Sequence, residues 1–239
     1  LPWKMTGPLP DDFDPNVMPS PQKGYMMAVC GGRNTGKSVV SYNLLKHYAG
    51  CYDGIHIFSP TWQQDPTIAP SATGIPEENY HETIDVEYIE DLMKKQEVEK
   101  KKFDKGILKQ KYLSRHLLVF DDCISCEGFN TQSLSGILNK LAFKGRHFRL
   151  SVLITTQAYK ALPKKFRVNI PNWIFMKTYN EGERKAIAEE QSNTMSEKQF
   201  NSLFDKAIED QYSFFYVFLD APDKSTCFRK NLTNILKIN

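Results

Sequence analysis

The amino-acid sequence predicts an α/β fold in which helices cover both faces of a mainly parallel β-sheet. Short apolar segments typical of buried strands alternate with segments that repeat apolar residues at helical spacing. Such alternation favours parallel strands, because a crossover helix joins each strand to the next one in the sheet. A length of 239 residues is enough for one such domain with a well-buried core, but hardly for two domains of usual size.

The overall composition is that of an ordinary globular protein and assigns no partner. The net charge is only +3, which by itself predicts no polyanionic ligand. No apolar run approaches the length of a membrane span, and residues 1–10 lack the apolar core of a signal peptide, so we expect a soluble, unsecreted protein. The five cysteines are an odd number, which favours a reducing compartment over a disulfide framework. Cys123 and Cys126 form a C-x-x-C pair without further ligands at comparable spacing, so metal binding, redox chemistry and a simple loop stay open.

Residues 1–22 predict a proline-rich, extended N-terminal arm. This segment contains six prolines and the acidic residues Asp11, Asp12 and Asp14, and it has little periodicity. From about residue 23 the alternation of strands and helices begins. We therefore assign residues 23–239 to one domain.

The first elements of this domain surround a glycine-rich segment. Residues 25–30 (YMMAVC) form an apolar run short enough for a buried strand, and residues 39–48 (VVSYNLLKHY) repeat apolar residues at helical spacing. Further apolar runs predict strands at residues 55–58, 117–120, 150–154, 173–176 and 212–219. Ligands bind beyond the carboxyl ends of parallel strands, so the residues that follow each strand are candidates for a functional site.

Residues 61–115 interrupt the alternation and predict a charged helical insertion. Residues 61–80 are polar and rich in turn-forming residues, which indicates a loop, whereas residues 86–112 indicate a long charged helix. Residues 91–115 contain nine Lys or Arg and four Asp or Glu, so this segment is more positive than the whole chain. Two interpretations stay open: a solvated helix face held by i,i+4 ion pairs, or contact with a nucleic-acid backbone or an acidic partner subunit.

The segment between the first strand and the first helix, CGGRNTGKSVV, fits the phosphate-binding pattern G-x-x-x-x-G-K-[ST]. Its four fixed positions are Gly31, Gly36, Lys37 and Ser38. Unpaired N–H groups at a helix start favour an anion, so Lys37 would reach the β- and γ-phosphates of ATP while the Ser38 hydroxyl binds Mg²⁺. The residues whose amides would face the phosphates are Asn34, Thr35, Gly36, Lys37, Ser38 and Val39. The alternative is a glycine-rich turn with an exposed lysine.

Two aspartates, Asp121 and Asp122, follow the apolar run LLVF. A loop that binds Mg-nucleotide needs a carboxylate at the end of a neighbouring strand to hold the metal, and Asp121 supplies one. Asp122 is then placed to polarise the attacking water. Paired aspartates after an apolar run also start turns or cap helices, and it is the phosphate-binding pattern upstream that favours the functional interpretation.

Polar residues on either side of the strand at 150–154 are further catalytic candidates. Gln157 follows the strand, where it can hydrogen-bond the γ-phosphate or the lytic water. Arg146 and Arg149 precede the strand, near the opposite edge of the sheet, from which they cannot easily reach the nucleotide of their own chain. In a ring, an arginine finger could act on the neighbour's nucleotide, and we favour Arg146 for this role over Arg149 and Arg167. A surface or DNA-facing arginine is the alternative.

Four separated segments together resemble the genome-packaging ATPases of large double-stranded DNA viruses, virophages and related self-synthesising transposons, within the FtsK/HerA superfamily. These segments are GGRNTGKS, LLVFDD, GRHFRLSVLITTQ and ALPKKFRVN, in this order over about residues 23–180. The resemblance implies a RecA-like P-loop core of the ASCE type, with the Gln-bearing strand between the P-loop strand and the Asp-Asp strand. One departure is that many members carry Asp-Glu where this chain has Asp121-Asp122.

The same resemblance implies a function. It implies a homo-oligomeric ring that hydrolyses ATP with Mg²⁺ at its subunit interfaces and moves double-stranded DNA, without sequence preference, into a preformed capsid. A capsid or vertex protein would be the partner. The host-cell cytoplasm, a viral factory or the virion would be the location.

Three other classes of protein compete with this interpretation. A GTPase would need an N-K-x-D motif, and residues 139–142 (NKLA) lack its aspartate. A nucleoside or small-molecule kinase also combines a P-loop with an arginine-bearing segment, but it works as a closed monomer or dimer. A non-catalytic assembly factor would bind ATP only to fix its shape. Ring formation and DNA-stimulated turnover separate the motor from the kinase.

Overall fold

The protein has a mixed α/β architecture with a mostly parallel central sheet flanked by helices, which confirms the predicted fold class. The computed structural model describes residues 9–11, 13–109, 113–125, 132–192 and 195–237. The chain divides into two compact units. Unit 1 consists of the residues up to 13 and residues 20–26 and 38–154. Unit 2 consists of residues 14–19 and 27–37 and the residues from 155 on. The first strand, β1 (Met26–Cys30), has residues in both units.

Unit 1 contains parallel strands connected by helices. Its elements are α1 (Lys37–His47), β2 (Gly54–Phe58), α2 (Pro70–Thr73), β3 (Tyr80–His81), α3 (Val86–Asp104), β4 (His116–Phe120), α4 (Gln132–Lys144) and β5 (Leu150–Thr156). Strand β2 pairs in parallel with β3 and β4, and β4 pairs in parallel with β5. The Val152 N–H of β5 donates to the Tyr25 carbonyl at 2.8 Å. Strand β5 therefore lies between β4 and the beginning of the β1 segment, which is the order that the resemblance implies.

Unit 2 combines one parallel pairing with three antiparallel ones. Its elements are β1, α5 (Lys164–Arg167), β6 (Asn172–Phe175), α6 (Glu181–Gln191), α7 (Glu197–Ala207), β7 (Phe215–Phe218), β8 (Phe228–Lys230) and β9 (Asn234–Ile235). Strand β1 pairs in parallel with β6, whereas β6–β7, β7–β8 and β8–β9 are antiparallel. The run predicted as a strand at residues 212–219 is shorter in the structure, and β8 and β9 were absent from the prediction.

Aromatic rings form much of the core of each unit. In unit 1, the rings of Phe58 on β2 and Phe120 on β4 stack with their centroids 5.1 Å apart. In unit 2, the rings of Trp173 and Phe175 on β6 are stacked at 5.2 Å, and Phe204 of α7 lies 5.8 Å from Phe175. All five side chains are buried, so the stacked rings hold neighbouring strands and the covering helix together through apolar burial.

The described part of the predicted arm forms turns. The N–H groups of Val17 and Met18 both donate to the Asp14 carbonyl, at 3.0 and 3.1 Å. The Met18 side chain is buried, and it anchors this turn in unit 2. Residues 1–8 and Asp12 of the arm lie outside the described residues.

The insertion contains more secondary structure than the sequence predicts in its first part and less in its second. Residues 61–80, expected to be a loop, include α2 and lead into β3, a two-residue strand that extends the sheet beside β2. Helix α3 ends at Asp104 rather than near Tyr112, which lies outside the described residues. Gly106 has φ 71° and its N–H donates to the Phe103 carbonyl at 2.8 Å, a left-handed glycine cap that ends the helix. Within the described part of the chain, no helix has the length and the apolar character needed to cross a membrane.

A pair of imidazole rings, one buried and one half-buried, connects α3 to the sheet of unit 1. His56 Nε2 on β2 and His116 Nδ1 on β4 are 3.0 Å apart, and the Tyr88 hydroxyl of α3 lies 2.8 Å from His56 Nδ1. Burial lowers the pKa of His56 to about 3, helped by the neighbouring His116, and burial lowers the pKa of His116 to about 4. Both rings are therefore neutral at pH 7, because protonating a ring at these positions costs more free energy than protonating it in water.

Acid should weaken the fold through this pair. Because the pKa of each ring lies below the ordinary value of 6.5, the unfolded chain binds more protons and the free energy of unfolding falls as the pH drops. We expect urea titrations from pH 6.5 to 5 to lose about 1 kcal/mol per pH unit for each ring. The double change His56→Asn and His116→Asn should flatten this slope, whereas His47→Asn, at an exposed position of α1, should keep it. An equal slope in both variants would contradict the assignment.

Candidate nucleotide-binding site

The glycine-rich loop that follows β1 is held by short contacts within unit 2. The Gly31 N–H donates to the Thr156 carbonyl at 3.0 Å. Inside the loop, Thr35 Oγ1 donates to the Gly32 carbonyl at 2.8 Å, and Lys37 Nζ donates to the same carbonyl at 3.1 Å. The Lys37 ammonium group therefore lies over the loop, where a phosphate-binding lysine is expected.

Two positions of the loop require an unusual backbone. Asn34 has φ 59° and Gly36 has φ 96°, both in the left-handed region. A Cβ atom on Gly31 would stand 2.5 Å from Met176 Cβ, a distance that real Cβ atoms essentially never show. Glycine at position 31 is thus required by close packing against the residue that follows β6, and glycine at position 36 by its dihedral angle.

Helix α1 begins at Lys37, so the loop passes directly into a helix N-terminus. The first N–H groups of a helix have no partner within it and, together with the helix dipole, they favour an anion. Ser38 is half-buried in the first turn of α1, and Val39 is exposed. The predicted order of strand, loop and helix is therefore present along the chain.

The thiol of Cys30, directly before the loop, is neutral. Burial raises its pKa to about 12, the Glu183 charge adds to this effect, and the Lys37 charge opposes it. A thiol with this pKa carries almost no thiolate at pH 7, so Cys30 packs as a small apolar residue.

In unit 1, Asp121 follows β4 and is oriented by the end of β2. Its N–H donates to the Phe58 carbonyl at 2.9 Å, and the Ser59 hydroxyl donates to Asp121 Oδ2 at 3.2 Å. Asp122, the next residue, has φ 47° and is half-buried. The Cys123 thiol donates to the Phe58 carbonyl at 2.9 Å, whereas Cys126 of the predicted C-x-x-C pair lies outside the described residues.

The donor atoms of Ser38 and Asp121 suit Mg²⁺. Both residues belong to unit 1, and they offer a hydroxyl and a carboxylate oxygen. Magnesium in nucleotide sites is bound by one or two such protein oxygens, and phosphate oxygens and water complete its coordination. The Asp121 carboxylate accepts a hydrogen bond from the Ser59 hydroxyl through Oδ2, and a carboxylate oxygen is a ligand that Mg²⁺ prefers. The residue types therefore fit the ion.

Gln157 directly follows β5 and is exposed. The preceding residue, Thr156, is buried, and its Oγ1 donates to the Ala158 carbonyl at 2.7 Å and accepts from the Ala158 N–H at 3.2 Å. Glu183 of α6 then accepts from the Tyr159 N–H at 2.6 Å. These bonds fix the backbone on both sides of Gln157, so its side chain starts from a defined position.

The three candidate arginines differ in what they contact. Arg146 is exposed, on a short 3₁₀ helix (Gly145–Phe148) before β5. Arg149 is half-buried, and its Nε donates to the Gln22 carbonyl at 3.0 Å. Arg167 is buried and binds Glu190 through two hydrogen bonds of 2.7 Å. Arg167 is thus held within its own chain, and Arg146 is the most exposed of the three candidates.

Some residues of the site were missed by the sequence analysis. Met176 packs against Gly31, Ser59 binds Asp121, and Glu183 fixes the backbone after Gln157. Ser59 and Met176 each come directly after a strand, and this position is the one signal that could have identified them. Glu183 carries no such signal, because its contact depends on the packing of α6.

These elements place the chain in the class of P-loop ATPases. A family model described as Poxvirus A32 protein matches residues 17–222. The chain belongs to this family, and the match confirms the resemblance seen in the sequence motifs. No curated protein matches the chain at a significant level.

Solved structures with the same fold include viral and bacterial proteins. The genome packaging NTPase B204 from Sulfolobus turreted icosahedral virus 2, in complex with AMP, is 15% identical with a TM-score of 0.57 over 90% of this chain and 99% of B204. The same protein in complex with ATP-gammaS is 16% identical with a TM-score of 0.54 over 90% of this chain and 99% of B204. The cytoplasmic domain of the Type VII secretion ATPase EccC from Thermomonospora curvata is 13% identical with a TM-score of 0.57 over 91% of this chain and 24% of EccC. At these identities, the matches establish the fold.

The two adjacent glycines at the start of the loop should respond differently to substitution. In Gly31→Ala the new Cβ would overlap Met176, and we expect urea titrations to show a loss of about 1–3 kcal/mol in the free energy of unfolding. The nearest atom to a Cβ on Gly32 is Thr35 Cγ2 at 4.0 Å, so Gly32→Ala should fold normally. Equal stability of the two variants would contradict the close packing of Gly31.

Proposed function

We propose that this protein is an ATP-driven translocase that packages a double-stranded DNA genome into a preformed viral capsid. It works as a homo-oligomeric ring and hydrolyses ATP at the interfaces between subunits. The observation that carries the proposal is the phosphate-binding loop at residues 31–38 in a chain of the Poxvirus A32 protein family. The name of B204, a genome packaging NTPase of the same fold, supports it.

The loop holds the phosphates of ATP. The amides of residues 34–39 donate to phosphate oxygens, and Lys37 exchanges its contact with the Gly32 carbonyl for the β- and γ-phosphates. An ammonium group already placed over the loop needs only a small movement to make this exchange. Nucleotide binding by this geometry has support from B204, whose structures include complexes with AMP and ATP-gammaS.

Residues after β4 and β5 carry the hydrolytic step. Ser38 and Asp121 would hold Mg²⁺, which would supply positive charge beside the β- and γ-phosphates. Asp122 accepts a hydrogen bond from the attacking water and orients it. Gln157 binds the γ-phosphate or the same water, and so distinguishes ATP from ADP. The hydrogen bond from Ser59 to Asp121 keeps that carboxylate in place.

Arg146 stabilises the transition state of a neighbouring subunit. It precedes β5 whereas Gln157 follows it, and it is exposed. An arginine supplied by a second subunit accelerates hydrolysis, because its positive charge stabilises the transferred phosphoryl group. This acceleration requires assembled subunits. This role couples turnover to ring formation.

The DNA contact that we propose involves α3. Some of its lysines are paired with the helix's own carboxylates, as Lys101 is with Glu97 at 2.8 Å. Lys95, Lys102 and Lys105 are exposed and have no ion-pair partner among the described residues. Exposed lysines that lack such partners bind phosphates without reading bases, so the affinity is independent of sequence and depends on salt.

The partners and location follow from the same role. A packaging motor must dock on the capsid through which the DNA enters, so a capsid or vertex protein is its second partner. It acts where capsids fill, in the host-cell cytoplasm or a viral factory, and it can stay with the virion.

The proposed motor differs from the two alternatives in its response to DNA. A P-loop kinase transfers phosphate to a small molecule and gains nothing from duplex DNA. A non-catalytic assembly factor would keep its function in Asp122→Asn, whereas a motor would lose ATP turnover. The ATPase rate with and without duplex DNA, measured together with the mass of the assembled particle, tests the proposal directly.

Charge reversal at Lys102, in the last turn of α3, and at Lys105, directly after the helix, should weaken the response to DNA. In Lys102→Glu with Lys105→Glu, we expect duplex DNA binding to fall about tenfold and its log–log salt slope to decrease by about 2. The matched control, Lys198→Glu with Lys206→Glu, reverses two exposed lysines of α7 and should bind DNA as the wild type does. Turnover without DNA should stay unchanged in both variants.

Equal loss of DNA binding in both variants would show a general charge effect and remove α3 from the interface. If duplex DNA neither binds the wild type at low salt nor raises its ATPase rate, the motor proposal itself fails.

Mixing subunits should test the role of Arg146. Arg146→Ala should bind ATP normally but lose turnover by about a thousandfold, since an arginine finger acts on the transition state. Adding Lys37→Ala subunits, which keep Arg146, should partly restore hydrolysis. A mixture of Lys37→Ala with Asp121→Asn is the control, because both defects affect the subunit's own nucleotide and no subunit is left with an intact loop and carboxylate. Absence of recovery in the first mixture would place the finger elsewhere.

A further inference from the structure

Tyr212 is an exposed aromatic residue beside the phosphate-binding loop of unit 2. Its exposed fraction is 64%. Its Cδ1 nevertheless lies only 3.5 Å from the point where a Cβ on Gly36 would stand. The ring therefore lies beside the loop at the residue before Lys37, while most of its surface is open to solvent.

The backbone of Tyr212 is held in an unfavourable conformation. Its φ is 64°, in the left-handed region that bulky side chains rarely adopt. The conformation belongs to a turn in which the N–H and Oγ of Ser213 donate to the Asp210 carbonyl at 3.3 and 2.8 Å. Strain of this kind persists where the surroundings fix it, and it is common at ligand sites.

The surroundings of this turn do fix it. Lys230 of β8 binds Asp210 Oδ2 at 2.6 Å and Glu209 Oε1 at 2.7 Å. Directly after the turn, the Phe214 N–H donates to Asn231 Oδ1 at 3.2 Å, and the Asn231 N–H donates to the Phe214 carbonyl at 2.9 Å. These bonds hold the turn that carries Tyr212, so the ring starts from a defined backbone position beside the loop.

We propose that the ring of Tyr212 stacks on the base of the nucleotide whose phosphates bind residues 31–38. This inference rests on the proposed ATPase function and adds the residue that recognises the base. The loop amides and Lys37 bind the phosphates. The base has flat, apolar faces, which can stack on an aromatic ring. A pre-positioned tyrosine offers such a surface at low entropic cost.

Stacking also predicts a limited selectivity. Every base has an aromatic face, and a tyrosine ring does not read the hydrogen-bonding edges that distinguish adenine from guanine. The larger purines should therefore bind more tightly than pyrimidines. ATP and GTP should differ little through this contact.

The test compares ligands with and without a base. Tyr212→Gly removes the ring and suits the positive φ, so the turn should keep its conformation. Isothermal titration of the full chain should show about tenfold weaker binding of a nonhydrolysable ATP analogue and unchanged binding of inorganic tripolyphosphate. Tyr212→Phe keeps the ring and should restore the affinity for the analogue. Ile235→Ala, a truncation of an exposed apolar side chain on β9, is the control and should bind both ligands as the wild type does.

Other outcomes overturn the proposal in distinguishable ways. Equal weakening of both ligands by Tyr212→Gly would mean that the ring supports the loop and does not hold the base. Unchanged binding of the ATP analogue would remove Tyr212 from the site. If the wild type binds tripolyphosphate but gains nothing from the base, stacking fails while the phosphate-binding loop stands. If the wild type binds neither ligand, the proposed ATPase function fails first and stacking fails with it.

Discussion

The close contact between the start of the phosphate-binding loop and its neighbours is the constraint on which the rest of the structure depends. Gly31 donates its N–H to the Thr156 carbonyl, and Met176 leaves no room for a Cβ on Gly31. The contacts within the loop, from Thr35 and Lys37, both end on the Gly32 carbonyl. They use an acceptor and consume no backbone amide, so the loop is held without using the donors that an anion needs.

Asp121, the proposed carboxylate of the site, is also held by neighbouring residues. Asp121 receives the Ser59 hydroxyl and donates its N–H to the Phe58 carbonyl, so the end of β2 orients the residue after β4. Side chains that orient a metal ligand matter because a carboxylate free to rotate loses entropy when it binds. The turn at Asp122, with φ 47°, changes the direction of the chain directly after Asp121, the proposed ligand. A residue after Asp121 in ordinary extended geometry would direct its side chain to the opposite face of the strand.

The sequence predicted the fold class, the site-bearing strands and the loop, because each depends on local pattern. The runs at β1, β4 and β5 are apolar, bounded and followed by polar residues, and the structure places strands there. Strand β3 has two residues, too few to show the alternating pattern that predicts a strand. It forms because it can pair with the edge of the sheet at β2. The sequence analysis missed the end of α3 because lysines continue beyond Asp104, and Gly106 is the one residue there that signals the end of the helix. Tyr212 and Gly36 lie close together but far apart in the sequence, so no local pattern could predict their proximity.

Burial decides which charged residues are available for function. Arg167 is paired bidentately with Glu190, and the guanidinium group lies 5.0 Å from the centroid of the Tyr159 ring. Removing one partner of such a buried pair leaves an unpaired charge, so selection for stability alone would keep Arg167. Arg146 is exposed, which is the property that the proposed finger acting on a second subunit requires. Burial thus separates Arg167, which is held within its own chain, from the arginine that we propose for that role.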